Sequence, residues 1–256
     1  MTKVVLLCGG YGTRLSEETA VTPKPLVEIG HLPIMCHIMN SYSHYGFKEF
    51  FIALGYKGAA IKQYFMNFHY LLSDLTIRMK DHQVQVNKSG CEDWIVHLTD
   101  TGLNTTTGGR LHRLRSQLQD DTFMVTYGDG VSDINLQESL DYHRAHGKLA
   151  TVTAVKPRGR FGTIELEGNS VSVFKEKVTA EDSWINGGFF VFEPGIFDYL
   201  SGDQTELERE VLSLLARDGQ LAAYRHEGFW ECMDTLRDKR YLESLWEGGN
   251  APWKPA

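Results

Sequence analysis

A short apolar strand, Val4-Val5-Leu6-Leu7, runs straight into the stretch Cys8-Gly9-Gly10-Tyr11-Gly12-Thr13-Arg14. Glycines let a backbone come close to a bulky anion, and successive N–H groups then point at its oxygens. Arg14 adds a cation to that cradle, and Lys24, inside Pro23-Lys24-Pro25, adds another. In open α/β sheets ligands gather at the carboxyl ends of strands. A strand that feeds such a loop therefore predicts an α/β chain with a nucleoside triphosphate site at the end of its first strand.

Two common phosphate loops do not fit. A Walker A loop needs Gly, four residues, then Gly-Lys-Ser/Thr, and no such run occurs. The dinucleotide fingerprint begins with Gly10-Tyr11-Gly12, but Leu15 stands where its third glycine belongs. Pro23 and Pro25 favour an extended loop over an immediate long helix. The plain alternative is a glycine-rich turn with no ligand, and the two cations in the same loop weigh against it.

Downstream, strands and helices alternate, the pattern of a mostly parallel sheet with helices on its faces. Strands are expected at 50–54, 122–126, 150–155 and 185–192. Helices are expected at 33–45, 57–68, 108–119, 136–146, 206–218 and 234–247, with Gly46 and Gly147 as stops. The rhythm breaks near 74–100, where 75–79, 84–86 and 94–98 read as strands of a small β insertion. Residues 162–167 and 170–174 read as a hairpin turning at Gly168-Asn169. No internal repeat and no Pro- or Ser-rich linker divides the chain, so residues 1–256 read as a single domain.

A net charge of −7 gives no electrostatic case for nucleic acid as a partner. An acidic chain that binds a polyanion must focus its positive charge locally, and Arg14, Lys24, Arg110 and Lys177 are the candidates. Cys8, Cys36, Cys91 and Cys232 are too scattered for a zinc site or a disulfide framework. The ten histidines show no metal-ligand spacing. The first residues lack the apolar run of a signal peptide, and no apolar run is long enough for a bilayer. The expectation is a cytoplasmic enzyme or binding protein.

Asp129 follows an apolar strand and is flanked by Gly128 and Gly130. A carboxylate at that strand end is placed to hold Mg²⁺, which takes one or two carboxylates and fills its other sites with phosphate oxygens and water. The alternative is a turn aspartate bonded to its own backbone. Asp234 precedes a helical run, and from the residues alone it reads as an N-cap. Gly187 and Gly188 inside an aromatic-rich strand mark either a close approach by a ligand or a β-bulge, and Asn186 suits sugar hydroxyls. Thr105-Thr106-Thr107-Gly108-Gly109-Arg110 suits ribose and phosphate, or else is a Thr-rich helix cap with a surface arginine. Lys175-Glu176-Lys177 reads, on its own, as a solvated strand end.

The run from Gly9 to Leu15, followed by Pro23-Lys24-Pro25-Leu26-Val27, resembles the signature of the sugar-1-phosphate nucleotidylyltransferases. Leu15-Ser16-Glu17-Glu18-Thr19, Thr126-Tyr127-Gly128-Asp129-Gly130, Ile185-Asn186-Gly187-Gly188-Phe189-Phe190, Met233-Asp234-Thr235-Leu236-Arg237-Asp238-Lys239 and Ala251-Pro252-Trp253-Lys254 occur in an order similar to the branch that transfers a cytidylyl group to glucose 1-phosphate. The resemblance implies a Rossmann-like, mixed but mostly parallel sheet of the glycosyltransferase A type. It implies Mg²⁺ shared by Asp129 and Asp234, and catalytic roles for Arg14, Lys24, Asp129 and Lys177. Nucleotide contacts would come from Leu7, Gly9, Gly10, Gly12, Thr13, Arg14, Lys24, Thr105, Arg110 and Gly128, and sugar-phosphate contacts from Glu176, Lys177, Asn186 and Gly187. Val178 stands where the family has a proline after its Glu-Lys pair, which leaves that loop less rigid.

The implied substrates are CTP and glucose 1-phosphate. The implied products are pyrophosphate and CDP-glucose, the latter feeding deoxysugar synthesis for a surface polysaccharide. The implied assembly is a homo-oligomer, a trimer or hexamer, in contact near residues 74–100. Residues that handle phosphate and metal do not encode the base or the acceptor. The alternatives are therefore a nucleotidylyltransferase with another acceptor and an inactive regulatory homologue. Against the latter, Arg14, Lys24, Asp129 and Asp234 are all present.

Overall fold

Along the first strand the side chains alternate between two separate apolar layers, and the rest of the chain is arranged around that strand. The computed structural model describes residues 2–19, 21–89, 92–158, 163–167, 170–175 and 184–255; for 14, 16, 17, 88, 89, 163–167 and 170–175 it describes the backbone. The central sheet is built from β1 (Lys3–Cys8), β2 (Glu49–Leu54), β3 (Ile95–Asp100), β4 (Phe123–Tyr127), β5 (Ala150–Val155), β6 (Ile185–Phe192) and β7 (Leu221–His226). Their order across the sheet is β7-β5-β6-β4-β1-β2-β3. β6 runs antiparallel to both of its neighbours, and every other pair is parallel. The chain winds outward from β1 in both directions, through β2 on one side and β4 on the other. In a sheet of this kind the ligand crevice lies outside the carboxyl ends at that reversal.

Val4, Leu6 and Cys8 of β1 face one layer with Phe50, Ile52 and Leu54 of β2, covered by α1 (Ile34–His44) and by Trp253. Val5, Leu7, Phe51 and Ala53 face the other, covered by Leu111, Leu207, Val211 and Leu215. A strand buried on both faces reads as an unbroken apolar run, which is why β1 stands out in the sequence. α1 starts directly after Pro33 and ends before Gly46 at φ 82°. α2 is Gly58–Leu71, α3 is Thr107–Arg113 and α4 is Leu136–His146. Asn135 caps α4 by accepting the Glu138 N–H at 3.0 Å, and Gly147 ends it at φ 66°.

The β excursion is shorter than the sequence pattern suggests. Ser73–Arg78 and Gln83–Ser89 pair as an antiparallel hairpin, but Ile95–Asp100 is the edge strand β3, parallel to β2. An edge strand has one open side and several half-buried residues, so its pattern matches that of a strand in an insertion. β7 carries no warning in the sequence, because Leu-Ala-Ala-Tyr-Arg-His is a weak strand former that gains its order from pairing with β5. Residues Thr163–Glu167 and Ser170–Lys175 pair antiparallel as expected; the turn at Gly168-Asn169 and Cys91 lie outside the described residues. Among the described residues no helix is long and apolar enough to cross a membrane.

Trp253 closes one core layer from the end of the chain. It is 2% exposed, stacks on Phe229 with centroids 5.5 Å apart, and meets His37 edge-on at 6.1 Å. Trp253→Ala should lower the unfolding free energy by about 3–5 kcal/mol in urea titrations. A loss below about 1 kcal/mol would mean that this segment adds nothing to the core.

Candidate active site

At the carboxyl ends of β1 and β4, six of the expected nucleotide residues, Leu7, Gly10, Gly12, Thr13, Lys24 and Gly128, line one cleft of about 210 Å³ with Asp129. Gly12 sits at φ 65°, a backbone conformation open to glycine and costly for a residue with a Cβ. The chain then makes a short turn at Thr13–Leu15, and Thr19 Oγ1 donates back to the Gly12 carbonyl at 3.0 Å. The Arg14 backbone lies in that turn; its side chain, Glu176 and Lys177 lie outside the described residues.

Lys24 opens a single helical turn, Lys24–Leu26, directly after Pro23. Its Nζ donates to Asp129 Oδ2 at 2.6 Å and to Asp234 Oδ1 at 2.7 Å, with the lysine side chain 11% exposed. Burial works against the ammonium charge, but the two carboxylates outweigh it and hold Lys24 above the ordinary lysine range. The group is therefore a cation at any working pH.

Two aspartates 105 residues apart meet because of a small ladder. Gly130–Ser132 pairs antiparallel with Trp230–Cys232, and the Met233 N–H donates to the Asp129 carbonyl at 2.9 Å. The reading of Asp234 as an N-cap is corrected here. Thr235 is the cap of α5 (Leu236–Glu247), in a capping box with Asp238. The Asp238 carboxylate accepts the N–H groups of Thr235 at 2.9 Å and Asp234 at 3.2 Å. With the helix end satisfied by the next residue, the Asp234 carboxylate turns to Lys24.

A second cavity, about 390 Å³, lies beyond Asp129 and is lined by Tyr127, Asn186, Gly187, Glu208, Trp230 and Asp234 among others. The β-bulge reading of Asn186-Gly187-Gly188 holds, and the bulge lies beside the cavity. The β5–β6 register shifts between Val152 and Ala154, and Gly188 stands at φ 77°. A bulge beside a cavity re-aims a side chain; here Asn186 Oδ1 accepts the Gly188 N–H at 2.8 Å while Asn186 lines the cavity. Trp230 Nε1 donates to the Gly187 carbonyl at 2.7 Å and walls the same space. Trp230 and Glu208 went unmarked in the sequence. The π-helical turn Leu207–Val211 that carries Glu208 has no sequence signature.

Arg110 and Thr105 are not on the cleft. Arg110 is 4% exposed, so it is not a surface arginine. Its Nη1 donates to the Leu54 carbonyl at 3.0 Å, Thr101 Oγ1 at 2.7 Å and the Gly102 carbonyl at 2.8 Å. Its Nη2 donates to the Gly9 carbonyl at 3.0 Å. A Cβ on Gly9 would fall 2.1 Å from the guanidinium carbon, so any side chain there would push the arginine off its partners. The arginine supports the phosphate loop from beneath and ties the ends of β1, β2 and β3. Thr105 is buried, and Thr106 donates to the carbonyls of Asp203 at 3.0 Å and Thr205 at 2.5 Å. The run that suggested a nucleotide contact is therefore engaged in packing α3 against residues 203–205.

Arg110→Met would remove four hydrogen bonds inside the fold and take the guanidinium donor from the Gly102 carbonyl, while the Leu54 and Gly9 carbonyls keep the N–H groups of Thr101 and Tyr56, so the variant should lose about 1–3 kcal/mol. Its urea midpoint should drop accordingly, together with weaker nucleotide binding. A variant that melts like the wild type and loses only nucleotide affinity would return Arg110 to direct contact.

Residues 3–238 match the nucleotidyl transferase family. The glucose-1-phosphate cytidylyltransferase of Salmonella typhi is 51% identical over 98% of both chains. The probable glucose-1-phosphate cytidylyltransferase of Bacillus subtilis is 44% identical over 98% of this chain and 99% of its own. Among solved structures, a putative glucose-1-phosphate thymidylyltransferase from Bacillus anthracis shares the fold at a TM-score of 0.68 and 16% identity, over 96% of this chain and 95% of its own. The glycine loop, the paired aspartates and a match that runs almost end to end agree: the chain belongs to the nucleotidyl transferase family and, within it, to the glucose-1-phosphate cytidylyltransferases.

Proposed function

We propose that this chain transfers the cytidylyl group of CTP to glucose 1-phosphate, forming CDP-glucose and pyrophosphate with the help of Mg²⁺. One observation carries the reading. Asp129 lines both cavities and meets Lys24 and Asp234 where the two adjoin. A triphosphate in the first cleft and a sugar phosphate in the second have their reacting groups at that junction.

An oxygen of the sugar phosphate attacks the α-phosphorus in line. The new P–O bond forms as the bond from the α-phosphorus to its bridging oxygen breaks, and pyrophosphate leaves with that electron pair. The nucleophile is already an anion, so no general base is required. Catalysis is then positioning plus neutralisation of charge. Two carboxylates that converge on one cation at 2.6 and 2.7 Å supply the donor set that Mg²⁺ takes alongside phosphate oxygens. Bound by Asp129 and Asp234, Mg²⁺ would offset the charge that builds on those oxygens. Lys24 faces the α-phosphate, and the N–H groups of the Gly9–Gly12 loop orient the triphosphate. Arg14 stabilises the departing pyrophosphate, while Lys177 and Glu176 align the sugar phosphate.

We infer also that the chain works in the cytoplasm as a homo-oligomer, a trimer or hexamer. Met66 and Leu71 at the end of α2, Ile77, Met79 and Val84 in and around the hairpin, and Ile95 on β3 are all exposed. Ile77 and Val84 pair across the hairpin, and apolar side chains left exposed side by side favour a protein contact.

Lys24→Ala and Asp129→Ala should each lower pyrophosphate release from CTP and glucose 1-phosphate by roughly two to three orders of magnitude. Far-UV circular dichroism should be unchanged, and EDTA should abolish the wild-type rate. Near-normal turnover in either variant removes that residue from the mechanism. Rates with UTP, dTTP and ATP, and with other sugar phosphates, test the choice of substrates. By light scattering the wild type should exceed the 29.0 kDa of one chain, and Ile77→Asp combined with Met79→Asp should lower that mass. A monomeric wild type rejects the assembly.

A further inference from the structure

Glu208 stands in the acceptor cavity on a turn shaped to put it there. The segment after Thr205 opens with the π-helical turn Leu207–Val211, in which Leu207 and Val211 are wholly buried in the core while Glu208 lines the cavity. Turns of this kind are frequent at functional sites. The carboxylate is fixed from two sides. Thr107 Oγ1 donates to Oε2 at 2.7 Å and itself accepts the Leu207 N–H at 3.2 Å. The Tyr127 hydroxyl donates to Oε1. Burial first, and then the Glu208 charge, raise the Tyr127 pKa, so that hydroxyl keeps its proton and remains the donor. Tyr127 in turn lies against the bulge, where a Cβ on Gly188 would fall 2.5 Å from its ring.

An ionised carboxylate accepts at about four lone-pair positions and donates at none. Two hydroxyls of the protein leave capacity for donors that enter the cavity. A phosphate at neutral pH offers mostly acceptors and negative charge, whereas a sugar ring offers hydroxyl donors. The cavity is thus polarised. At Asp129 and Asp234, where the Lys24 ammonium and the proposed Mg²⁺ would offset the carboxylates, it suits a phosphate, and at Glu208, which is bonded to two hydroxyls, it suits further hydroxyls. Asn186 and Trp230 complete a polar and a flat aromatic wall between them.

We propose that Glu208 is the specificity-determining residue of the acceptor site: it accepts hydrogen bonds from hydroxyls of the sugar ring and so selects a neutral, hydroxylated ring with a single phosphate. The inference rests on the cytidylyl transfer proposed above.

Steady-state rates of the wild type and Glu208→Gln with CTP and three acceptor classes test it: glucose 1-phosphate, its single-deoxy analogues, and glucuronic acid 1-phosphate. Glu208→Gln should raise the KM for glucose 1-phosphate about ten- to hundredfold and leave the KM for CTP within about twofold. It should also shrink, by about tenfold or more, the preference for glucose 1-phosphate over the glucuronic acid compound and over one deoxy analogue. Tyr127→Phe keeps the ring against Gly188 but removes one bond that holds the carboxylate. It should raise the KM for glucose 1-phosphate several-fold and serves as the test if Glu208→Gln does not fold. Equal changes in both KM values, or an acceptor ranking the same as that of the wild type, would overturn the role of Glu208 while leaving cytidylyl transfer standing. A wild type that releases no pyrophosphate from CTP and glucose 1-phosphate would overturn both.

Discussion

Two carboxylates held within reach of one another and largely shielded from water repel. Asp129 and Asp234 are kept together because the Lys24 ammonium lies between them, 2.6 Å from one and 2.7 Å from the other. Three parts of the chain converge on that point: the loop after β1, the end of β4 and the residue before the cap of α5. Since the lysine pKa is raised on folding, its contribution to stability is complete below the ordinary value of 10.5 and fades only as pH rises through the folded value. Neutral pH does not titrate Lys24. A cation is required there by electrostatics alone, and the same convergence that demands an ammonium suits a divalent metal ion.

Everything near the junction is braced from behind by backbone bonds. The Met233 N–H fixes the Asp129 carbonyl, the Gly130–Ser132 ladder fixes the approach to Asp234, and the Thr235–Asp238 box relieves Asp234 of any duty at the helix end. Arg110 does the same for the phosphate loop, reaching up from α3 to the Gly9 carbonyl. Donors fixed in advance do not have to reorganise as charge develops, and that is where such a site gains most of its rate. A buried guanidinium inside the fold thus holds in place the loop that lines the cleft.

How far the sequence could be read depended on whether a feature was local. Ala150–Val155, Ile185–Phe192 and Leu136–His146 were legible to the residue, because apolar runs and a closing glycine mark their ends. The glycine loop, Lys24 and Asp129 were legible because strand ends and glycines announce them. Asp234 and Arg110 illustrate the opposite case. An aspartate before a helix looks like a cap until the next threonine takes that place, and an arginine after two glycines looks exposed until β2 and β3 close over it. Glu208 gives no local sign at all. Its meaning comes from Thr107 and Tyr127, which reach it across 101 and 81 residues.

The division of the site into two cavities that share Asp129 separates two kinds of requirement. In the proposed reaction the junction handles only phosphate and charge, so Lys24, Asp129 and Asp234 would serve any nucleotide and any sugar phosphate alike. Selectivity has to lie at the outer ends, where a base or a sugar ring meets side chains that never touch the reacting phosphorus. Those ends can change while the centre stays fixed, because the centre is held by the sheet and the ladder, whereas Glu208 is held by a single widened turn and two hydroxyls. A substitution at the junction should therefore cost turnover with every acceptor alike, and one at Glu208 should change which acceptor is preferred. The two outcomes differ because an interaction that acts only at the reacting phosphate cannot distinguish one sugar ring from another.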